Sequence, residues 1–406
     1  MQWSSRAMLR LLIVNILDRE EKIMAEWLKT ALIDIVELIG GGTPKTSKAE
    51  YWGGNINWLS VKDFNNENRY VYSTEKTITE EGLNNSSTKL LKKDDIIISA
   101  RGTVGELAMI TFPMAFNQSC YGIRAKEGID SIFLYYLIKN SVRKLKAITH
   151  GSVFDTITRD TFANIEVAIP DIKTQHRIAK MLADIDDKVE NNQRINNNLE
   201  QQAQTIYQQM LIDNVSSDWT EGILSDIADI TMGQSPSGSS YNEDGNGTIF
   251  FQGRAEFSFR FPTIRLYTTE PKRMACANDT LMSVRAPVGD LNVAHTDCCI
   301  GRGLAAIHSK NNHQSFVLYT MFSLKKQLDV FNGEGTVFGS INRNSLNEIP
   351  ILIPSSKKLD EFEALVAPMD AAIRNNYDEI CCLEQLRNSL LPKLMSGELD
   401  VSDIDL

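Results

Sequence analysis

Counting from Ile178, the residues Ile178, Leu182, Ile185, Val189, Asn192, Asn196, Leu199, Ala203, Ile206 and Met210 fall at alternating spacings of four and three. This is the a/d seam of a heptad repeat, and it predicts a long helix over 172–213. Adding 184 to each number gives a second seam: Phe362, Val366, Met369, Ile373, Asn376, Ile380, Leu383, Arg387, Leu390 and Leu394. Only Arg387 interrupts it, with Leu386 beside it. Two long helices of matching pattern in one chain most simply pair with each other as an antiparallel coiled coil. Asn192 and Asn376 are equivalent positions, and in an antiparallel pair with a two-fold axis equivalent residues meet only at that axis. They are therefore expected to face each other midway and to set the register, as buried asparagines do in coiled coils.

Outside the seams the periodicity changes. Short runs with β-branched residues at 95–100 and 280–284 predict strands, each followed by Arg-x-x-Val-Gly, a turn. Segments 133–146 and 316–330 read as helices. Segments 165–169 and 349–353 read as closing strands, stopped by Pro170 and Pro354 where the long helices begin. The matches have fixed offsets. WLKTALIDIVELIGGGTP from Trp27 aligns with WTEGILSDIADITMGQSP from Trp219 at 192. DDIIISARGTVGE aligns with NDTLMSVRAPVGD, and GSVFDTITRDTFANIEVAIP with GTVFGSINRNSLNEIPILIP, both at 184. Repeated offsets across separated blocks identify a tandem duplication. Between the blocks, NINWLSVKDFNNENRYVYSTEKT and TIFFQGRAEFSFRFPTIRLYTTE show no recognisable correspondence. One scaffold with two unlike inserts suggests two different things being read.

The fold class expected is α+β: two pseudo-symmetric mixed α/β domains, 27–170 and 219–354, joined by two long antiparallel helices, 171–213 and 355–406 including its tail. Residues 1–26 fit nothing that follows. The apolar run at 11–17 lacks a small-residue cleavage site, and a translation start at Met24 would leave 1–23 outside the protein.

The net charge of -10 argues at first against a nucleic-acid partner, but the way it is distributed removes that objection. Basic against acidic residues number 17 against 16 in 27–170, 11 against 13 in 219–354, and 5 against 11 in 355–406. The two large segments are free to carry local basic faces. No window approaches the roughly 18 apolar residues of a membrane span. The cysteines form no CxxC pair, which fits a reducing cytoplasm.

Catalytic motifs fail one by one. GGGTPKT ends like a phosphate loop, but Pro44 stands where a glycine is required. Pro170-Asp171 with Asp186-Asp187-Lys188 superficially resembles a metal-dependent nuclease set, yet the second copy has Asp370-Ala371-Ala372 there, so these are read as solvated helix charges. His150, His176, His295, His308 and His313 show no metal-ligand spacing, and His308 and His313 flank a polar loop. The Asn-Pro-Pro-aromatic motif of an amino-methyltransferase and a glycine-rich cofactor loop are missing from the sequence. No catalysis is expected, and no cofactor or metal of the chain's own.

The inserts instead carry side chains that read base edges and phosphates. In the first unit these are Lys45, Lys48, Asn55, Asn57, Lys62 and Asn66, interleaved with Trp52 and Trp58. In the second they are Gln252, Arg254, Arg260 and Arg265 with Phe251 and Phe257. Arg101 and Arg285 recur at one place in both copies, which suits a shared ligand feature such as the phosphate backbone, an intramolecular ion pair being the alternative. Arg159 and Arg343 also recur, close to the helix starts, where they would only anchor them.

Taken in order, GGGTPK and MGQSPSG, ISARGTVG and SVRAPVG, Asn117-Gln118, and the long helices carrying LEQQ and LEQL give a pattern that resembles the specificity subunit of type I restriction-modification enzymes (HsdS). The closing LLPKLMSGEL resembles that family's C-terminus, and the likeness covers 26–405. It implies two target-recognition domains, each reading one half of a split, asymmetric double-stranded DNA sequence in the major groove. It also implies two methyltransferase subunits as partners, which hold S-adenosylmethionine, and translocase/nuclease subunits that use ATP and Mg2+. The DNA-contacting set expected on this basis is Thr43, Lys45, Trp58, Lys62, Arg101 and Gln118 in the first domain, and Ser235, Gln252, Arg254, Arg285 and Arg302 in the second. Ala286-Pro287 in place of Gly102-Thr103 departs from the first copy. A helix of about 40 residues rises roughly 60 Å, more than the 34 to 36 Å or so of one B-DNA turn, so the helices could space two readers over untouched bases. The alternatives are an assembly scaffold without base readout and a stand-alone DNA-modifying enzyme.

Overall fold

The computed structural model describes residues 27–66, 68–148, 156–285, 287–332 and 339–401. The expectations for residues 1–26, and parts of the repeated blocks at 151–155 and 333–338, lie outside the described residues. The chain divides into two units, one formed by 1–191 with 379–406 and one by 192–378.

In the first unit Ile96–Ser99 is the centre of a five-stranded sheet. It pairs antiparallel with Cys120–Ala125 on one side and Leu107–Ile110 on the other. Val36–Gly40 and Tyr70–Val71 add the outer strands. The all-apolar run of Ile96, Ile97 and Ile98 fits a strand covered on both faces: Ile96 and Ile98 face the helix Ser131–Ile148, and Ile97 faces a second cluster with Leu59, Phe64 and Phe116. A smaller sheet pairs Trp52–Leu59 with Lys76–Ile78 and, in parallel, with Ala115–Phe116. Leu28–Ala31 and Glu166–Ile169 close the unit as a separate antiparallel ribbon.

The second unit repeats the plan. Thr280–Val284 lies between Leu304–Ser309 and Val288–Val293, Ala228–Met232 adds an edge, and Thr220–Ile223 pairs with Pro350–Ile353. Thr248–Phe251 runs parallel to Cys298–Ile300, as Trp52–Leu59 does to Ala115–Phe116. The inserts without sequence correspondence thus share a skeleton. Asp94 and Asn278 both take positive φ (67° and 75°), and seven of the eight residues by which the offsets differ lie between Arg69 and Asp94 of the first unit, Arg69 matching Arg260 at an offset of 191. Lys76–Ile78 and Leu266–Thr268 are equivalent there, each pairing antiparallel with its unit's Trp52–Leu59 or Thr248–Phe251 strand; the first unit then adds the helix Glu80–Asn84, and the second the short strand Met274–Ala275.

The turns of the two Arg-x-x-Val-Gly segments are knotted identically. Ser99 Oγ donates to Thr103 O and accepts from Glu106 N; Ser283 Oγ donates to Pro287 O and accepts from Asp290 N. Gly105 and Gly289 sit at φ 85° and 89°, which explains glycine at both.

The first long helix is Ile172–Tyr207, continued by a π-helical turn, Gln208–Ile212; the second is Ser356–Ser396. The buried face shifts by one residue before the π turn: Tyr207 and Leu211 are buried where the heptad count put Ile206 and Met210. Within the first unit, Ile185 and Val189 pack with Ile380 and Leu383. Arg387 is a seam residue with a purpose: buried, it donates from Nη1 to Asp186 Oδ1 at 2.7 Å. Asp186 is therefore buried and paired, which corrects its reading as a solvated helix charge. Within the second unit, Asn376 Nδ2 donates to Asn196 Oδ1 at 2.8 Å, and Asn196 Nδ2 to Ile373 O at 3.3 Å. The asparagine contact of Asn376 thus includes Asn196, one turn beyond Asn192, which is itself buried. His313, beside the polar loop, has a ring 15% exposed and bonded to Asp360 at 2.8 Å.

Candidate nucleic-acid interface

In each unit one three-residue loop gathers the sequence blocks. In the first unit it is 117–119. Phe116 O accepts from Gly42 N at 2.9 Å, Leu59 O accepts from Asn117 N at 3.0 Å, and Ser119 O accepts from Ala100 N at 2.8 Å. Thr43 Oγ1 donates to Gln118 Oε1. These bonds bring together the Gly-rich turn, the end of the Trp52–Leu59 strand, and Arg101. The glycines are there for contact: a Cβ on Gly41 would lie 2.1 Å from Asn117 O, and one on Gly42 would lie 2.4 Å from Thr88 N. The turn is a tight backbone junction and not a phosphate loop.

In the second unit the loop is 301–303. Ile300 O accepts from Gln234 N at 3.0 Å, Phe251 O from Gly301 N at 2.8 Å, and Gly303 O from Val284 N at 2.9 Å. Ser235 Oγ accepts from Arg302 N at 3.2 Å, the counterpart of the Thr43–Gln118 contact. Gly233, Gly301 and Gly303 all stand where a Cβ would strike backbone. The same construction therefore presents Thr43, Lys62, Arg101 and Gln118 in one unit and Ser235, Gln252, Arg285 and Arg302 in the other.

The eleven candidate residues are not alike in availability. Lys45, Lys62, Arg101, Gln118, Gln252, Arg285 and Arg302 are exposed, and Thr43 and Ser235 are half-buried. None of Lys45, Lys62, Arg101, Arg285 and Arg302 forms an ion pair among the described residues. Arg101 and Arg285 are each held by an isolated bridge, to Thr156 and Ser340. Trp58 is different: it is 7% exposed, its indole N–H donates to Gly42 O at 3.1 Å, and it meets Trp52 edge-on at 5.2 Å. It braces the turn and is covered from any ligand. Arg254 is half-exposed but held by Asp290 at 2.9 Å, and Arg265 by Glu256 at 2.9 Å. Arg260 is buried, donating to Glu200 at 3.2 Å and to Asp370.

Cys120 and Cys298 border the two loops, and burial pushes both thiols up to about 12, so neither supplies a nucleophile there. Among the described residues there is no group of three His, Cys, Asp or Glu able to hold a metal ion, and no helix is long and apolar enough to cross a membrane.

Sequence reasoning missed Arg69. It is buried, its carbonyl accepts from Met109 N at 2.7 Å, and Arg260 O accepts from Val293 N at 2.8 Å in the equivalent place. Met109 and Val293 are 184 apart. An arginine near the middle of each insert was the available signal, hidden because the inserts do not align.

Comparison with known proteins agrees with this doubled construction. A family model described as Type I restriction modification DNA specificity domain matches residues 24–201 and 216–364. The chain is 28% identical over 420 residues to the type I restriction enzyme MjaIX specificity subunit of Methanocaldococcus jannaschii, covering 94% of this chain and 96% of that one. It is 33% identical over 169 residues to the EcoR124I/EcoR124II specificity subunit of Escherichia coli, covering 40% of this chain and 41% of that one. The crystal structure of a type I restriction-modification S subunit from M. genitalium has the same fold, with a TM-score of 0.60 at 16% identity over 93% of this chain and 98% of that chain.

Proposed function

Since the chain belongs to the type I restriction-modification specificity subunits and serves DNA sequence recognition in such a system, we propose that each unit reads one half of a split, asymmetric target. One observation carries this reading. The same hydrogen-bonded junction occurs in both units, but the side chains it presents differ: Thr43, Lys62 and Gln118 against Ser235, Gln252 and Arg302. A shared frame with unshared chemistry suits two half-sites of different sequence on one shared polymer. Arg302 has the donor fork that meets guanine, and Gln118 and Gln252 have the paired donor and acceptor that meet adenine. Arg101 and Arg285 sit at one place in both units and suit phosphate contacts, which fix register without reading sequence.

The long helices act as an antiparallel coiled coil that spaces the two readers, supported inside each unit by the Val189–Ile380–Leu383 packing and by the Asn376–Asn196 bond. The chain performs no chemistry. Two methyltransferase subunits supply S-adenosylmethionine-dependent methylation, and restriction subunits supply ATP- and Mg2+-dependent translocation and cleavage, in the cytoplasm. Exchange of 219–354 for the same segment of a relative, followed by methylome sequencing of the host, tests this. The methylated motif should change in one half and keep the other half. An unchanged motif would leave the chain an assembly scaffold. Methyl transfer or cleavage by the purified chain alone would make it an enzyme.

A further inference from the structure

Each insert is fastened to the long helices by one buried arginine, and in both units the fastening runs through a tyrosine–aspartate pair. In the first unit Arg69 Nη1 donates to Tyr136 OH and to Ala183 O, both at 3.2 Å, and Nη2 donates to Asp187. Tyr136 OH in turn donates to Asp186 Oδ2 at 2.6 Å. In the second unit Arg260 Nη1 donates to Glu200 at 3.2 Å, and Nη2 donates to Tyr319 OH at 3.4 Å and to Asp370. Tyr319 OH donates to Asp370 Oδ1 at 2.9 Å. The Tyr136–Asp186 and Tyr319–Asp370 pairs belong to the repeated frame, Asp186 and Asp370 being 184 apart, while the arginines belong to the unlike inserts; the carboxylate that Arg69 itself meets, Asp187, is particular to the first unit, since Ala371 stands at its counterpart.

Stability alone does not account for this arrangement. Replacing a buried ion pair by apolar residues of similar size is often neutral or stabilising. Here the burial is incomplete in its bonding, since among the described residues Arg69 Nε has no hydrogen-bond partner. Arg260 also holds a left-handed backbone, φ 65°, which a non-glycine residue adopts only under constraint. Arg69 and Arg260 are 4% and 3% exposed at the side chain, so neither can touch DNA. What the contacts do supply is direction: a planar fork bonded to several fixed acceptors fixes where the insert sits on its helix.

We infer that Arg69 and Arg260 are positioning residues for sequence discrimination, each locking the reading insert of its own unit to the helix beneath it so that the insert meets its half-site in one register. The inference rests on the reading of one half-site per unit. The frame offers a tyrosine–aspartate socket, and the insert brings the guanidinium that fills it.

The test uses the full chain assembled with its methyltransferase subunits, once methylome sequencing has given the target. Binding is measured to the target duplex, to duplexes with a base pair changed in either half, and to unrelated DNA. Arg260→Gln should lower discrimination in one half by about tenfold or more, the scale of one mismatched base pair. The other half, and the affinity and salt dependence for unrelated DNA, should stay as in the parent. Arg69→Gln should do the same for the opposite half, and Arg→Lys at either place should restore part of the loss. Tyr319→Phe, which keeps the ring and removes one bond, should give a smaller loss in the same half as Arg260→Gln, and it serves if the glutamine variant fails to fold. Discrimination unchanged in both halves, or affinity lost equally on every duplex in step with thermal stability, would overturn the inference. A parent complex that does not discriminate by halves would instead overturn the one-unit, one-half-site reading.

Discussion

Arg387 decides between two accounts of the second long helix. By pattern it is a flaw in an apolar seam, and Arg387→Leu should strengthen the helix. By structure its guanidinium and the Asp186 carboxylate are each 8% exposed at the side chain and 2.7 Å apart, with Tyr136 OH also on Asp186. Removing one partner of a buried pair strands the other and costs about 3–5 kcal/mol. The leucine recovers about 1–2 kcal/mol of apolar burial, leaving a net loss of about 1–4 kcal/mol. For a unit of this size, that lowers the melting temperature by about 2–16 °C. Chemical and thermal denaturation of the full chain would show it as an earlier transition. The double variant Asp186→Asn with Arg387→Leu, which leaves neither charge of the pair behind, should regain at least half of the loss. A single variant as stable as the parent, or more so, would refute the paired reading and return Arg387 to the status of a seam defect.

Arg101→Ala should weaken binding on all DNA sequences alike and reduce the slope of log affinity against log salt by about 0.9, the value of one phosphate contact; a loss confined to one base position would make it a base reader. Gly289→Ala should destabilise the second unit by about 1–2 kcal/mol from its left-handed backbone, and further because the new Cβ would lie 2.9 Å from Leu328 Cβ. Gly102→Ala, at φ 78° but in open space, should lose less in the same denaturation series. Burial raises the Glu200 carboxyl above its ordinary value of 4.5, so its ionisation opposes folding. Stability from this group is greatest below that value and declines as pH rises through the raised one. Glu200→Gln should therefore flatten the fall in the urea midpoint on the alkaline side of 4.5, and an unaltered pH profile would count against it.

The heptad count found both long helices, and the offsets of 192 and 184 found the duplication, because each is a local regularity carried by many residues. The Arg-x-x-Val-Gly turns were legible for the same reason, glycine being required at Gly105 and Gly289. The candidate site was legible in part. The blocks around Thr43, Gln118, Ser235 and Arg302 do converge, but nothing local distinguishes an exposed Lys62 from a buried Trp58 or from an Arg254 held by Asp290. What stayed hidden was long-range polar pairing. Arg69 finds its partners 67 and more residues away, and Asp186 finds Arg387 across 201. A periodic pattern records which face of a helix is apolar, and a buried ion pair on that face leaves no periodic trace. The last seam positions moved from Ile206 and Met210 to Tyr207 and Leu211 for a related reason, since a heptad count assumes a constant period of about 3.5 residues that the helix does not keep to its end.

The unequal stretch between Arg69 and Asp94, where the first unit carries a short helix that the second lacks among its described residues, has a meaning for descent. It is bounded on one side by the buried arginine and on the other by a residue of positive φ that recurs in both units. The central strands Ile96–Ser99 and Thr280–Val284 and the three-residue junctions lie outside those bounds. A lineage of such chains could therefore acquire new tastes in sequence by editing a short, tethered stretch, without having to reinvent a folding pathway each time.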